Sequence, residues 1–218
     1  ITSGTPMMIA GEYDHAWRFS EGKAAVCVNG KLGFIDKHGK YIIEPLFAYS
    51  SNPKYGLDQY NRQLGHFVDF TFNEGLCPMV GSNNKYGLID KSGIWRLEPK
   101  YESIKYLEQS QTWLIMDTHK IDKDLIVLYG AADTNGNIIV TPDKEKFILV
   151  NEDKACWGNQ NDEYIVISNH SHQIVSGYSI INLENTDTWQ LTYPNGNVEE
   201  LNYWDINFIT PDNLKAKN

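Results

Sequence analysis

Nowhere does this chain gather lysine and arginine. Its 19 basic residues are dispersed among 28 acidic ones, for a formal charge of −9. An acidic chain without a basic stripe does not grip phosphate backbones or anionic lipid, so nucleic acid is excluded as a partner. Cysteine is sparse too. Cys27, Cys77 and Cys156 fit neither a C-x-x-C metal site nor a disulfide-dense scaffold. They could form one disulfide at most, and they suit small buried apolar positions better. Apolar runs such as residues 125–129 fall far short of the ~20 residues of a membrane-spanning helix, which excludes insertion by helix. Helical apolar spacing is equally scarce. Residues 58–68 are the best candidate for a short helical turn, and Gly65 interrupts them.

Catalytic signatures are missing as well. The chain has no Gly-x-Ser-x-Gly, no glycine-rich phosphate loop and no His-Glu-x-x-His. The expectation is therefore a protein that is not an enzyme, with no catalytic residue, no cofactor and no metal ligand assigned.

What is abundant is strand-forming. There are 13 Tyr, 8 Phe, 6 Trp and 17 Gly among 218 residues, with many Val, Ile and Thr, enough for one large domain or a short array. The decisive feature is a sentence said twice: KLGFIDKHGKYIIEP at 31–45 and KYGLIDKSGIWRLEP at 85–99. Each reads as a strand, a tight turn and a returning strand. In Asp36-Lys37-His38-Gly39 and Asp90-Lys91-Ser92-Gly93, the Asp can cap the backbone two residues on. The Gly supplies a left-handed residue, as in a type I turn with a glycine bulge. Positive φ is expected at Gly39 and Gly93. Pro45 and Pro99, unable to donate to a ladder, are expected to end the pairing.

A looser third copy runs over 129–142, where Tyr129, Gly130, Asp133, Gly136 and Pro142 keep the internal spacing. Leu32, Tyr86 and Tyr129 should share one slot, and Gly33, Gly87 and Gly130 another. Ile35 and Ile89 should be buried. The units also share an opening, Phe19-Ser20-Glu21-Gly22 and Phe72-Asn73-Glu74-Gly75, each followed by a short apolar strand. Tyr13 precedes Phe19 by the interval that separates Tyr101 from Leu107. A unit is thus roughly 35–45 residues, a meander of three to four strands.

Residues 13–45 resemble the bacterial WG repeat family, whose unit runs Phe-Ser-Glu-Gly, a short strand, Trp-Gly-Tyr/Phe-Ile-Asp, a Gly turn and an Ile-Pro exit. Leu32, Tyr86 and Tyr129 stand in the place of the family's Trp. The resemblance covers 13–106 well, 107–145 loosely and 146–218 hardly at all. It implies a β-rich array without shared catalytic residues, in an exported or envelope-associated bacterial protein; a cytoplasmic location is the alternative. The first residue, Ile1, fits either a trimmed chain or a mature product whose leader has been removed.

The expected fold class is all-β: tandem hairpin or meander repeats packed as an array of propeller or solenoid form. Residues 1–145 hold WG-like repeats, with units near 13–51, 72–106 and 107–145, and an insertion at 49–71. Residues 146–218 hold further strands, as decayed or capping repeats. There, hairpin turns are expected at 169–172 and at Pro194-Asn195-Gly196, and the tail from Asn213 reads as frayed.

Insertions in repeat arrays emerge on one face and often carry binding. This one contains Tyr49, Tyr55, Tyr60, Arg62 and His66, a mixture suited to sugar or peptide; the plain alternative is that these side chains fold back on the array. Other constellations reduce to structure. His170 and His172 lack a third ligand. Asp133 to Asn137 has its Gly fourth, where a calcium loop needs it sixth. Trp204-Asp205 is a single unrepeated WD. Glu21 and Glu74 occupy one repeat slot, so they should serve the same turn a unit apart rather than act as paired carboxylates. The leading reading is a non-catalytic module that binds a protein, peptide or glycan. The alternatives are a spacer array of an envelope protein and, behind it, a carbohydrate-active enzyme.

Overall fold

The computed structural model describes residues 12–49, 70–108, 110–121, 124–150, 154–161, 163–168, 174–182, 188–202 and 206–208. Within them the elements are β-strands throughout, with no helix. The helical candidate at 58–68, His170, His172, Trp204, Asp205 and the tail from Asn213 lie outside the described residues. The chain divides into two compact units, the described residues passing from one to the other between Pro99 and Lys100.

In the first unit, β1 (His15–Ala16), β2 (Ala24–Val28), β3 (Lys31–Ile35) and β4 (Tyr41–Ala48) form a sheet in chain order. β5 (Leu76–Val80), β6 (Tyr86–Asp90) and β7 (Trp95–Tyr101) form a second. The repeat openings are two-residue turns. Ser20 and Lys23 exchange backbone hydrogen bonds, as do Asn73 and Leu76. Both central residues of each turn have positive φ, 48° and 78° at Glu21-Gly22 and 49° and 84° at Glu74-Gly75, the twist that antiparallel strands need at a two-residue turn. Successive turns touch instead of lying a unit apart. The Glu21 carboxylate accepts the Gly75 N–H at 3.1 Å and pairs with Lys91 Nζ at 2.9 Å, while the Ser20 hydroxyl donates to the Phe72 carbonyl.

The longer hairpins share a construction. Gly39 N–H bonds the Asp36 carbonyl and Asp36 N–H the Lys40 carbonyl, a pattern that recurs at Asp90/Gly93/Ile94 and Asp133/Gly136/Asn137. In each, one Asp oxygen accepts the N–H groups two and four residues on, at 2.8–3.1 Å. The expected positive φ is present, 81° at Gly39 and 82° at Gly93.

The prolines do not end the pairing. Leu32 pairs with Phe47 and Phe34 with Ile43, so Gly33 alone faces Glu44, Pro45 and Leu46. Tyr129 pairs with Lys144 and Ala131 with Val140, so Gly130 alone faces Thr141, Pro142 and Asp143. Proline is accommodated in a bulge, where a missing N–H costs nothing, and the strand resumes beyond it. The bulge crowds the opposing residue. A Cβ on Gly33 would stand 2.7 Å from the Ile43 oxygen and the Pro45 nitrogen, and one on Gly130 2.7 Å from the Val140 oxygen and the Pro142 nitrogen. A Cβ on Gly87 would collide with the Leu97 carbonyl and lie 2.8 Å from the Pro99 nitrogen. The three glycines thus share one environment, and Leu32, Tyr86 and Tyr129 before them are all buried, as are Ile35 and Ile89.

In the second unit, β8 (Ser103–Leu107), β9 (Thr112–Ile121), β10 (Asp124–Ala132) and β11 (Ile138–Lys144) make a four-stranded sheet. β12 (Lys146–Val150), β13 (Lys154–Gly158), β14 (Glu163–Ser168), β15 (Ile174–Asn182), β16 (Thr188–Thr192) and β17 (Val198–Asn202) form a meander, and β18 (Ile206–Phe208) returns to pair with β12. The expected hairpin on either side of 169–172 is seen in its strands, where Ile167 pairs with Ile174. The Pro194-Asn195-Gly196 turn has the backbone bonds of the Asp turns, with Asn195 Oδ1 capping Asn197 N–H because Tyr193 stands where Asp would. Leu114, Tyr129, Val140, Phe147 and Trp157 share one core cluster. The bulge exposes the Gly130 carbonyl, and the buried Trp157 indole N–H satisfies it at 3.0 Å, as a buried acceptor requires.

Candidate functional site

Of the insertion residues singled out in the sequence, Tyr49 is described, and Tyr55, Tyr60, Arg62 and His66 lie outside the described residues. Tyr49 follows β4, and its N–H donates to the Gly30 carbonyl at 2.8 Å. This holds it at the end of the first sheet where Asn29-Gly30 turns β2 into β3. Its ring sits in a cluster of edge-on contacts: 5.5 Å from Trp17 at 82°, 5.5 Å from His15 at 65°, and 6.2 Å from Phe70 at 80°. Trp17 also meets Phe70 at 5.2 Å and 86°. Edge-to-face geometry of this kind adds roughly 0.5–1.5 kcal/mol per pair beyond area burial.

The cluster is graded from core to solvent. Phe70 is buried, Trp17 and Tyr49 are half-buried, and His15 is exposed. Backbone bonds fix the strand that carries His15 and Trp17: Asp14 N–H to the Cys27 carbonyl at 2.9 Å, and Trp17 N–H to the Ala25 carbonyl at 3.0 Å. The Asp14 carboxylate in turn accepts Asn29 N–H at 2.6 Å. A rigid ring platform with one wet edge can stack against a sugar face or an apolar side chain, with Tyr and His supplying polar handles.

Sequence reasoning missed His15, Trp17 and Phe70. They come from the first strand and from the residue at which the described chain resumes after the insertion, so no fixed spacing links them to Tyr49. The available signal was the insertion itself, since its two ends must lie together if the sheet continues across it.

Thiol chemistry finds no support here. All three cysteines are buried and none is in a disulfide. Burial pushes the Cys27 thiol up, with Asp14 adding to the effect and the Gly30 backbone N–H opposing it, so the reactive thiolate is disfavoured. No group of three or more His, Cys, Asp or Glu arranged to hold a metal ion occurs among the described residues. Two buried polar atoms, Trp113 Nε1 and Glu145 Oε2, have no hydrogen-bond partner among the described residues, and neither belongs to the ring cluster.

A family model for the WG containing repeat matches residues 4–31, 33–57 and 86–110. The WG resemblance read from the sequence holds over these three stretches. The second and third matches begin at equivalent places, Gly33 and Tyr86-Gly87, where the proline bulge presses on glycine. The hairpin at 129–142 lies outside the matched stretches, yet it has the same bulge, the same capping Asp and the same turn. The family's Trp slot is filled by buried Leu32 between the first two matched stretches, by buried Tyr86 at the start of the third and by buried Tyr129 in the unmatched hairpin. His15, Trp17 and Tyr49 lie within the matched stretches, and Phe70 lies outside them.

No curated protein matches the chain. Among solved structures it is similar to PorZ, an essential bacterial surface component of the type-IX secretion system of Porphyromonas gingivalis. The identity is 10% and the TM-score 0.26, over 89% of this chain and 33% of that one. It is also similar to the WD40 β-propeller domain of Doa1, at 11% identity and a TM-score of 0.23, over 88% of this chain and 84% of that one. The chain spans a third of the length of PorZ.

Proposed function

We propose that this WG-repeat chain is a non-catalytic binding module that engages a protein, peptide or glycan through the Tyr49 ring cluster. The observation that carries this reading is the graded platform of Phe70, Trp17, Tyr49 and His15, buried at its base, wet at His15, and placed at both margins of the insertion. Rings that are half-buried and already locked edge-on lose little entropy when a ligand lands on them. The hairpin residues of the repeat are consumed by turns, bulges and core, whereas His15, Trp17 and Tyr49 keep part of their surface in solvent.

The test is binding of the labelled chain to glycan and peptide arrays, beside Tyr49→Ala and Trp17→Ala. The parent should select ligands of one class, and each variant should weaken that signal by tenfold or more, about 1.4 kcal/mol. Melting temperature serves as the control for folding. Parent and variants giving the same array pattern would overturn the reading. A parent that binds neither array would favour the spacer function over it.

A further inference from the structure

We propose that the Tyr49 ring cluster takes a basic peptide side chain, its aliphatic stem against the rings and its ammonium or guanidinium beside the Asp14 carboxylate. This occupant deepens the ring-cluster reading, on which it rests, by narrowing the ligand to a peptide segment that bears Lys or Arg. What selects it is a carboxylate without a counter-ion at the wet edge of the rings.

One turn ties the charge to the rings. Asn29 and Gly30, with φ of 51° and 71°, carry β2 into β3. Asn29 N–H donates to the Asp14 carboxylate at 2.6 Å, and the Gly30 carbonyl accepts Tyr49 N–H at 2.8 Å. The carboxylate and the Tyr49 backbone are therefore fastened to successive residues of one tight turn. Asp14 also directly precedes His15, whose ring meets Tyr49 at 5.5 Å and Trp17 at 6.2 Å. Its charge reaches the thiol of Cys27, the strand partner of His15.

Among the described residues nothing cancels that charge. Asp14 is exposed, as is Glu12 two residues before it, and no described lysine, arginine or histidine forms an ion pair with Asp14. The Asn29 N–H occupies one carboxylate oxygen, which leaves the other to a ligand. A carboxylate fixed beside partly exposed Trp and Tyr rings favours a cation, because the ring faces attract positive charge and the carboxylate pairs with it. Lys and Arg suit the gradation from ring to solvent, since their stems pack on apolar surface while the head stays wet. An anion would be repelled at Asp14, and a neutral saccharide would leave its charge uncompensated. The formal charge of −9 adds long-range attraction for a basic segment.

The test is amide NMR titration of the full chain with acetyl-Gly-Ser-X-Ser-Gly amides in which X is Arg, Lys, citrulline or norleucine. Citrulline keeps the shape of Arg without its charge. The Arg and Lys peptides should shift the amides of 14–17, 29–30 and 49 saturably. Citrulline and norleucine should bind roughly tenfold more weakly, the order expected for a lost charge-assisted contact. Asp14→Asn should abolish that preference with melting unchanged, since Asn can still accept the Asn29 N–H. Added salt should narrow the preference in the parent, as for any exposed charge pair. Equal affinity for the Arg and citrulline peptides, an Asp14→Asn protein that keeps the preference, or no saturable shift from any of these peptides would each overturn the proposal. The ring-cluster reading fails on different grounds: if the arrays return neutral ligands that Tyr49→Ala and Trp17→Ala lose, it stands while the basic occupant falls.

Discussion

Gly93 illustrates how little of the repeat is available for chemistry. Its φ of 82° is a left-handed conformation, and a Cβ there would stand 3.2 Å from Ile43 Cγ2. An ordinary residue at such a φ costs roughly 1–2 kcal/mol, more when β-branched. Ser92, its neighbour, is exposed on the same turn. Gly93→Val should therefore lower the melting temperature by several degrees while Ser92→Val leaves it nearly unchanged, given ~2–4 °C per kcal/mol in a chain of this size. Equal melting of the two would show that the turn tolerates a side chain there. Trp157 makes a second residue-scale case. Trp157→Phe retains most of the ring but strands the Gly130 carbonyl, and should destabilise by about 1–3 kcal/mol in chemical denaturation. The glycine was legible because Asp-x-x-Gly is a local rule. The Trp157 bond was not, because it joins a bulge to a strand that nothing in the spacing ties to it.

Among the elements, the turn Asp is the recurring device, and it responds to pH. The Asp36 carboxyl lies below its usual range because the Lys40 N–H, and then the His38 N–H, bond its charged form. Burial raises Asp90, but the Ile94 and Ser92 N–H groups and Arg96 outweigh it and leave that carboxyl lowered. Burial also raises Asp133, and the side chain and N–H of Asn137 with the N–H of Asn135 reverse the sign. A folded-state pKa below the unfolded value of about 3.9 gives stability that is fully present above that pH. It is lost as pH falls from there through the folded-state values. Melting temperature should hold level at neutral pH and fall below about pH 4. Asp→Asn at 36, 90 and 133 together should flatten that fall, because Asn already caps at Asn159 and Asn195 without a titrating charge. An unchanged acid slope in the triple variant would remove the turns as its source.

The hairpin turns were readable from Asp, Gly and their spacing. Two-residue turns at Glu21-Gly22 and Asn29-Gly30 carried the same kind of signal and explain the close strand spacing of β1 to β3. The role of Pro45 was misread because a missing N–H excludes proline from a regular ladder, but a bulge is not regular.

For the molecule as a whole, the repeat predicted strands, their pairing and the shared slots, because a duplicated pattern reports on packing as well as on local preference. The ring cluster escaped it, since His15, Trp17 and Phe70 meet Tyr49 only through tertiary closure. The core follows the repeat. Ile89 is fully buried in its unit, and Ile89→Ala should cost roughly 2–4 kcal/mol by denaturation if the site cannot collapse. Three hairpins, including one beyond the matched family stretches, are the same object built on glycine facing a proline bulge. Parallel melting of Gly33→Ala, Gly87→Ala and Gly130→Ala tests it most directly, since overpacking of this kind costs typically ~1–3 kcal/mol. All three variants should melt several degrees below the parent. A Gly130→Ala protein that melts like the parent, beside two that do not, would contradict it.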